Sequence, residues 1–338
     1  MLIGLWITTG CNLKCKYCYE GEEKQFDNMS IDVAEQTIDF IKHHYTTLEH
    51  EPLVIEFHGG EPLLNYDLIP YIVKRMEESF ENILFGITTN GILLNESKIT
   101  YLSKKMTYGL SLSVDGERQS HDKNRVDNLG SGTYDSVIMQ IPQLLSKCEN
   151  IRARMTYTPQ TIDHLSDNII HLIDLGFKNI VSVPDYFSEN WSQNEMEILL
   201  TEMQKTKRYY ETNNLEKNDV NISILENFFK EKGVCQGGKS NFHIMPNGDI
   251  YPCSYGTKND ELKLGNVSNS ELIVSKLEKL EEINNSFNSA CEGCDGYISC
   301  ICSRCKIFNK VLTGDFLQPV PIICAIEHIK HKYVKNSK

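Results

Sequence analysis

Three cysteines, Cys11, Cys15 and Cys18, fall on one stretch with the spacing CxxxCxxC. Three thiolates on a short loop can hold three corners of a cubane [4Fe–4S] cluster and leave the fourth iron without a protein ligand. An open iron is a place for a substrate or cofactor to bind, so the spacing reads as a reaction site rather than a simple electron relay. A zinc knuckle or a disulfide fragment is the plain alternative for three cysteines taken alone. Eight further cysteines lie between Cys235 and Cys324. Cys148 stands apart, and a lone cysteine reads as a small buried hydrophobe.

The chain has 338 residues, 40% hydrophobic and 24% charged, with a formal net charge of −12. That is enough for one large domain plus a smaller one. No Lys/Arg-rich stripe interleaved with aromatics appears, which argues against nucleic-acid binding. The apolar run from Leu2 to Ile7 is too short for a membrane span and no basic segment precedes it, so neither a membrane nor a signal peptide is expected. The expected location is the cytoplasm, where thiols stay reduced. Twelve cysteines there argue for metal rather than disulfides.

The elements that must position these residues alternate. Leu2 to Thr8 reads as a strand ending at the cysteine loop, and Ser30 as the N-cap of a helix with apolar residues at Ile31, Ala34, Ile38 and Ile41. Strands follow at Leu53 to Phe57, Ile83 to Thr88, Tyr108 to Val114, Ile151 to Tyr157 and Asn179 to Val183. Helical patterns lie between them, including Asp67 to Phe80, Tyr134 to Leu145 and Ile162 to Leu175. Six such βα units imply a parallel sheet with right-handed crossovers. The glycine-rich and polar signals all fall at carboxyl ends of strands, where parallel α/β folds do chemistry. Six units are too few for a closed eight-stranded barrel, so an open, partial barrel is expected. The expected organisation is a partial (β/α)6 barrel over 1–188, a charged helical bridge over 189–234, a cysteine-rich domain over 235–328 and a solvated tail over 329–338.

CxxxCxxC after the first strand, Gly59-Gly60-Glu61-Pro62 after the second, and the six βα units together resemble the radical S-adenosylmethionine (SAM) superfamily. The resemblance implies that the open iron chelates the amino and carboxylate groups of SAM, with Gly59 and Gly60 allowing close backbone approach to the ammonium and Glu61 fixing the turn. It implies that Tyr17 lies by the adenine and that Ser113 and Arg125 contact SAM. Val183 could touch adenine or be plain core. It also implies the chemistry: reductive cleavage of SAM gives a 5′-deoxyadenosyl radical that abstracts hydrogen from an unactivated C–H bond.

The later cysteines resemble the SPASM domain, with Gly248 ahead of Cys253 and a CxxC-x5-C run at Cys291, Cys294 and Cys300. The next cysteine of that pattern would fall at Arg304 but is Cys305, and Cys302 is extra. The cysteine count exceeds what a zinc ribbon needs. The resemblance implies two auxiliary [4Fe–4S] clusters, three clusters in all. Cys291, Cys294, Cys300 and Cys324 would hold the one farther from SAM, and Cys235, Cys253 and Cys305 the nearer one. The nearer would then have an open iron unless Cys302 fills it or exchanges roles with Cys300.

Such an open iron could capture a substrate thiolate, which points to a peptide maturase of the thioether-forming sactipeptide and ranthipeptide type. Sulfatase maturation to formylglycine is the alternative; those relatives carry an aspartate where this chain has Ser254, a poor base without an activator. Asp249 nearby reads as a turn residue. Epimerisation and carbon–carbon crosslinking are other SPASM outcomes, and a non-catalytic iron–sulfur or zinc module is the alternative of another class. The implied partners are a substrate peptide with a leader, an electron donor such as flavodoxin or ferredoxin, and a separate leader-binding protein, because the first barrel strand starts near Met1.

Overall fold

A computed structural model describes residues 1–21, 26–45, 51–226, 230–269 and 271–335. Six strands, β1 (Leu2–Trp6), β2 (Leu53–His58), β3 (Ile83–Thr89), β4 (Gly109–Ser113), β5 (Ile151–Tyr157) and β6 (Asn179–Pro184), pair in parallel in chain order. The helices α1 (Ile31–His44), α2 (Leu68–Glu77), α3 (Glu96–Lys105), α4 (Arg118–Asn124), α5 (Tyr134–Ile138), α6 (Ile141–Lys147) and α7 (Leu165–Asp174) occupy the crossovers. This is the expected open βα barrel. The strands alternate between helix-facing apolar residues and lumen-facing polar ones. On β5, Ile151, Ala153 and Met155 are buried in the core while Arg152, Arg154 and Thr156 stay partly accessible.

Local signals explain most boundaries. Ser30 caps α1, its hydroxyl accepting from the Val33 amide at 3.2 Å. Asn95 caps α3 by accepting from the Lys98 amide at 2.9 Å. The single helix expected over Tyr134 to Leu145 is two. Pro142 sits in the first turn of α6 and lacks the N–H that would continue α5. Cys148 caps the end of α6 and is buried in the main core.

The bridge is more than a charged helix. α8 (Gln193–Thr212) opens with a capping box made by Ser192 and Glu195, and its buried Glu202 accepts from the Ser166 amide at the start of α7 at 2.9 Å. Beyond it, β7 (Asn221–Ile222) adds a strand parallel to β6.

The cysteine-rich half is built onto the same sheet. β8 (Asn241–Ile244) runs parallel to β1 on the side away from β2, with Leu2 opposite Asn241 and Gly4 opposite His243. β9 (Asp249–Tyr251), β10 (Gly265–Asn266) and β11 (Glu271–Leu272) continue antiparallel, so one sheet of 11 strands has β1 near its middle. Asp249 is the first residue of β9 and is tied to Lys263 and Asn266.

Helices α9 (Val274–Asn285), α10 (Ile301–Arg304), α11 (Lys306–Thr313) and α12 (Pro321–Lys335) complete the chain. Of the expected solvated tail, residues 329–335 instead continue α12, with Tyr333 buried and Lys330 donating to Glu327 at 2.9 Å, and residues 336–338 lie outside the described residues. Among the described residues no helix is long and apolar enough to cross a membrane.

Candidate active site

The cysteine loop leaves β1 and folds over the mouth of the sheet. The Lys14 amide donates to the Val126 carbonyl at 2.8 Å and the Lys16 amide to the Asn124 carbonyl at 2.9 Å, which pins the loop to the segment after α4. The Cys18 amide closes a turn onto the Cys15 carbonyl at 3.0 Å. All three thiols line a cavity of about 540 Å³, a volume within the usual range for small-molecule sites. Burial pushes the Cys15 thiol up to about 11, with the neighbouring Arg125 opposing the shift.

The same cavity is lined by Tyr17, Gly59, Gly60, Glu61, Ser113, Arg125 and Val183. The two glycines meet a steric demand inside the chain. A Cβ on Gly60 would sit 2.2 Å from the Gly10 carbonyl oxygen, and one on Gly59 2.4 Å from that of Thr8. The turn after β2 therefore packs directly on the backbone that carries the cysteines, and the Glu61 amide donates to the Gly10 carbonyl at 2.8 Å. Glu61 is buried. Its carboxylate accepts from the Leu63 amide at 3.0 Å, the Thr89 hydroxyl at 2.7 Å and the Asn90 amide at 2.7 Å. Burial raises its carboxyl and these bonds oppose the rise. Glu61 thus joins the turns after β2 and β3. Asn90 adds a bond from its side chain to Asn12 on the cysteine loop at 2.8 Å.

Asp115, just past β4, organises the opposite wall. It accepts from the Tyr17 hydroxyl at 2.6 Å and from the Thr156 amide at 2.9 Å. Arg125 Nε lies 3.1 Å from the same carboxylate oxygen but points off the hydrogen-bond axis. The contact is an ion pair that leaves this N–H without an acceptor among the described residues. The Arg125 guanidinium lies over the Tyr17 ring at 5.3 Å. Burial disfavours ionisation of the Tyr17 hydroxyl and pushes it well up. The sequence reading included Tyr17 and Arg125 but not Asp115; its signal was the strand-end position in Ser113-Val114-Asp115-Gly116.

The later cysteines separate into two groups. Burial, followed by the proximity of Cys305 and Cys235, pushes Cys253 up to about 12, and burial followed by Cys235 pushes Cys305 up to about 11. These three lie toward the barrel, beside Ser254 and Tyr255, which line the main cavity. An aromatic cluster bridges this group and the cysteine loop: Tyr255 stacks on Phe308 at 4.3 Å and meets Tyr19 at 5.7 Å. Cys291, Cys294, Cys300, Cys302 and Cys324 line a separate cavity of about 420 Å³. Cys302 is buried with its thiol aimed at the Val320 carbonyl at 3.8 Å, and it lies beside Cys300, which it pushes down while its own thiol is driven up. The fully buried Lys306 stands in the field of this second group, and its Nζ has no hydrogen-bond partner among the described residues.

Among the described residues no three His, Cys, Asp or Glu side chains converge tightly enough to hold a single metal ion. The cysteines instead surround volumes. Buried thiols that resist ionisation need a metal to hold them as thiolates, so this donor set fits iron–sulfur clusters.

The Radical SAM superfamily model matches residues 6–196. This chain belongs to the radical SAM superfamily. A second model, the iron–sulfur cluster-binding SPASM domain, matches residues 235–306. An uncharacterized protein of Methanocaldococcus jannaschii is 28% identical over 281 residues, covering 82% of this chain and 91% of that one. The cysteine-type anaerobic sulfatase-maturating enzyme of Clostridium novyi is 25% identical over 301 residues, covering 80% and 78%. The solved structure of native anSMEcpe with bound AdoMet and Cp18Cys peptide superposes with a TM-score of 0.80 at 20% identity, covering 99% of this chain and 97% of that one. The radical SAM barrel and its SPASM extension are therefore the shared fold.

Proposed function

We propose that this radical SAM enzyme modifies a ribosomally made peptide, by oxidative closure of a thioether between a peptide cysteine and a peptide carbon. When bound, SAM and its cluster supply a carbon radical strong enough to abstract hydrogen, and the auxiliary clusters supply an electron acceptor. The residues of the chain do the rest. Cys11, Cys15 and Cys18 hold the SAM cluster; Tyr17, Gly59, Gly60, Glu61, Ser113 and Arg125 shape and orient the SAM site. Asp115 holds Tyr17 and Arg125 in place. Tyr19, Phe187 and Tyr255 pack on one another as an aromatic wall on the SPASM side of the cavity.

The observation that carries the thioether reading is the composition of the nearer auxiliary group. Cys235, Cys253 and Cys305 are three thiols beside the main cavity. Cys302 lines the other cavity with its thiol aimed at the Val320 carbonyl, and Cys148 is buried at the end of α6. A cluster held by three thiols keeps one iron free for a substrate thiolate. Cys291, Cys294, Cys300 and Cys324 hold the farther cluster, with Cys302 buried beside it. The peptide substrate is supported by the likeness to a maturase fold solved with a peptide. An electron donor of the flavodoxin or ferredoxin kind, and a separate leader-binding protein, complete the proposed system.

The test is anaerobic reconstitution with iron and sulfide, followed by SAM, a reductant and any short cysteine-bearing peptide that a neighbouring reading frame is found to encode. Loss of two hydrogens with sulfur retained but no longer alkylable supports a thioether. Formylglycine formation is the second reading, favoured by the Clostridium novyi relative; it would appear as loss of sulfur and gain of an aldehyde on a sulfatase-derived peptide. Stoichiometric zinc with no SAM cleavage would refute both.

A further inference from the structure

Resting on the reading that the cavity receives a substrate thiol, we propose that His58, backed by Glu56, takes the proton which that thiol gives up. One hydrogen of the substrate leaves carbon as an atom, to the 5′-deoxyadenosyl radical. The other leaves the S–H bond as a proton, and its electron pair stays on sulfur. Closing the carbon–sulfur bond then passes one electron to an auxiliary iron–sulfur cluster. Loss of two hydrogens is thus balanced by a hydrogen atom, a proton and an electron, and the proton needs an acceptor.

The register of the sheet builds that acceptor. Gly4 on β1 lies between Glu56 on β2 and His243 on β8, and Trp6, two residues further along β1, lies opposite His58. These residues share the lumenal face. Gly4 leaves the space that the His243 ring fills, since a Cβ there would sit 2.2 Å from it. The His243 ring in turn lies 5.5 Å from that of His58, and the Trp6 indole lies nearly parallel to His58 at 6.0 Å. Glu56 Oε2 is 3.5 Å from His58 Nε2. Trp6, His243 and Glu56 therefore hold His58 in place, while 21% of its side chain stays accessible where it lines the main cavity.

The two histidines differ in what they can accept. The Trp6 indole can only donate, and it donates to His243 Nδ1 at 3.2 Å, so the His243 proton sits on Nε2 and its lone pair is taken. Burial pushes this ring down to about 3, and it stays neutral. No donor takes up a ring nitrogen of His58 among the described residues. With the Nε2 proton turned to Glu56, Nδ1 keeps its lone pair, and the imidazolium formed on protonation faces a carboxylate that stabilises it. Burial raises the Glu56 carboxyl, but His58 and Arg152 outweigh it and hold it below its ordinary range, so Glu56 is charged. Other polar groups of the cavity are committed. Glu61 spends its carboxylate on three hydrogen bonds, Asp185 accepts from the Phe187 amide at 3.1 Å, and Ser254 is a poor base without an activator.

The test counts protons by calorimetry of peptide binding in two buffers of different ionisation enthalpy. The sample is the anaerobically reconstituted, SAM-bound protein at neutral pH. The probe is a short acetylated and amidated Gly/Ser peptide with one cysteine, and the control has serine in its place. In the wild type the thiol proton should stay on His58, with almost none released to the buffer. His58→Gln should release about one proton per bound peptide, because a thiol held as thiolate must lose it. Glu56→Gln should release a fraction of one. Equal release by the wild type and His58→Gln overturns the proposal; where that release is a full proton, the thiol reading survives. Cysteine and serine peptides that bind alike with no proton released, or a cysteine peptide that does not bind, overturn both. Loss of SAM affinity in His58→Gln assigns the ring to SAM and overturns the proposal alone. If His58→Gln does not assemble its clusters, Glu56→Gln decides, and the wild-type count in that variant overturns the proposal.

Discussion

Replacing Asp115 by asparagine tests the wall opposite the glycine turn. The side chains of Asp115 and Arg125 are 1% and 8% exposed, so their charges are removed from water together. The carboxylate also takes the Tyr17 hydroxyl on the oxygen that faces Arg125 and the Thr156 amide on the other. An asparagine has one acceptor oxygen. It can answer Tyr17 or Thr156 but not both, and its NH2 then faces either another donor or the guanidinium. Removing one partner of a buried pair costs about 3–5 kcal/mol, because the remaining charge stays buried. For a folding unit of this size that corresponds to a fall in melting temperature on the order of 10 °C. The assay is thermal unfolding of the anaerobically reconstituted protein followed by circular dichroism. Tyr17→Phe alone should cost about 1.5–3 kcal/mol, the value of a hydrogen bond to a charged group. Added to Asp115→Asn it should cost much less, because its partner is already changed. If Asp115→Asn melts with the wild type, or the two losses add in full, the three residues do not act as one unit and the reasoning fails.

Gly60→Ala should prevent stable assembly of the SAM cluster while leaving auxiliary iron in place, because the new Cβ would meet the Gly10 carbonyl at 2.2 Å; iron content and the electron paramagnetic resonance signal check this. Cys300→Ser should remove the farther auxiliary cluster, whereas Cys302→Ser should keep it, because the buried Cys302 thiol is aimed at the Val320 carbonyl; two variants with the same iron count would contradict the assignment of Cys300 as the ligand. His121 and His243 are pushed down to about 3, chiefly by burial, so the folded state holds them neutral while the unfolded chain protonates near 6.5. Stability is then full above that value and falls as the pH drops from 6.5 toward 3, by roughly 1.4 kcal/mol per pH unit for each histidine. Urea melts across that range, with His243→Gln removing one share of the slope, measure it.

The barrel was legible because its signals are local. A strand of such a barrel leaves apolar residues at the positions that meet the helices, and its carboxyl end leaves glycines, asparagines and cysteines in sequence. Cys11, Gly59, Asn90 and Asp115 each announce a strand end, although only partner geometry marks Asp115 as a hub. The cysteine-loop residues Cys11, Cys15 and Cys18 and the distant Gly59, Gly60, Ser113 and Arg125 do meet around one cavity. Long-range pairing left no such mark. Asn241 to Ile244 is four residues long, and nothing in it says that it pairs with β1 rather than with its own neighbours. The bridge hid a two-residue strand for the same reason. The end of the chain looked solvated because its lysines outnumber Tyr333 and Ile329, yet those two residues hold that part of α12 against the core.

The position of β1 in the middle of the sheet has a consequence for how the protein is made. The strand that carries the cysteine loop is synthesised long before β8, and one of its two edges stays bare until β8 follows. The bond from Trp6 to His243 joins residues 237 apart. Such a late contact is slow to close and keeps a hydrophobic edge exposed in the meantime. It also imposes an order. The wall that shapes the cavity above β1 is complete only after the SPASM strand has arrived, so a chain truncated by interrupted synthesis carries the three radical-site cysteines without a finished chamber around them. The topology thereby couples the completeness of the chain to the integrity of its most reactive site.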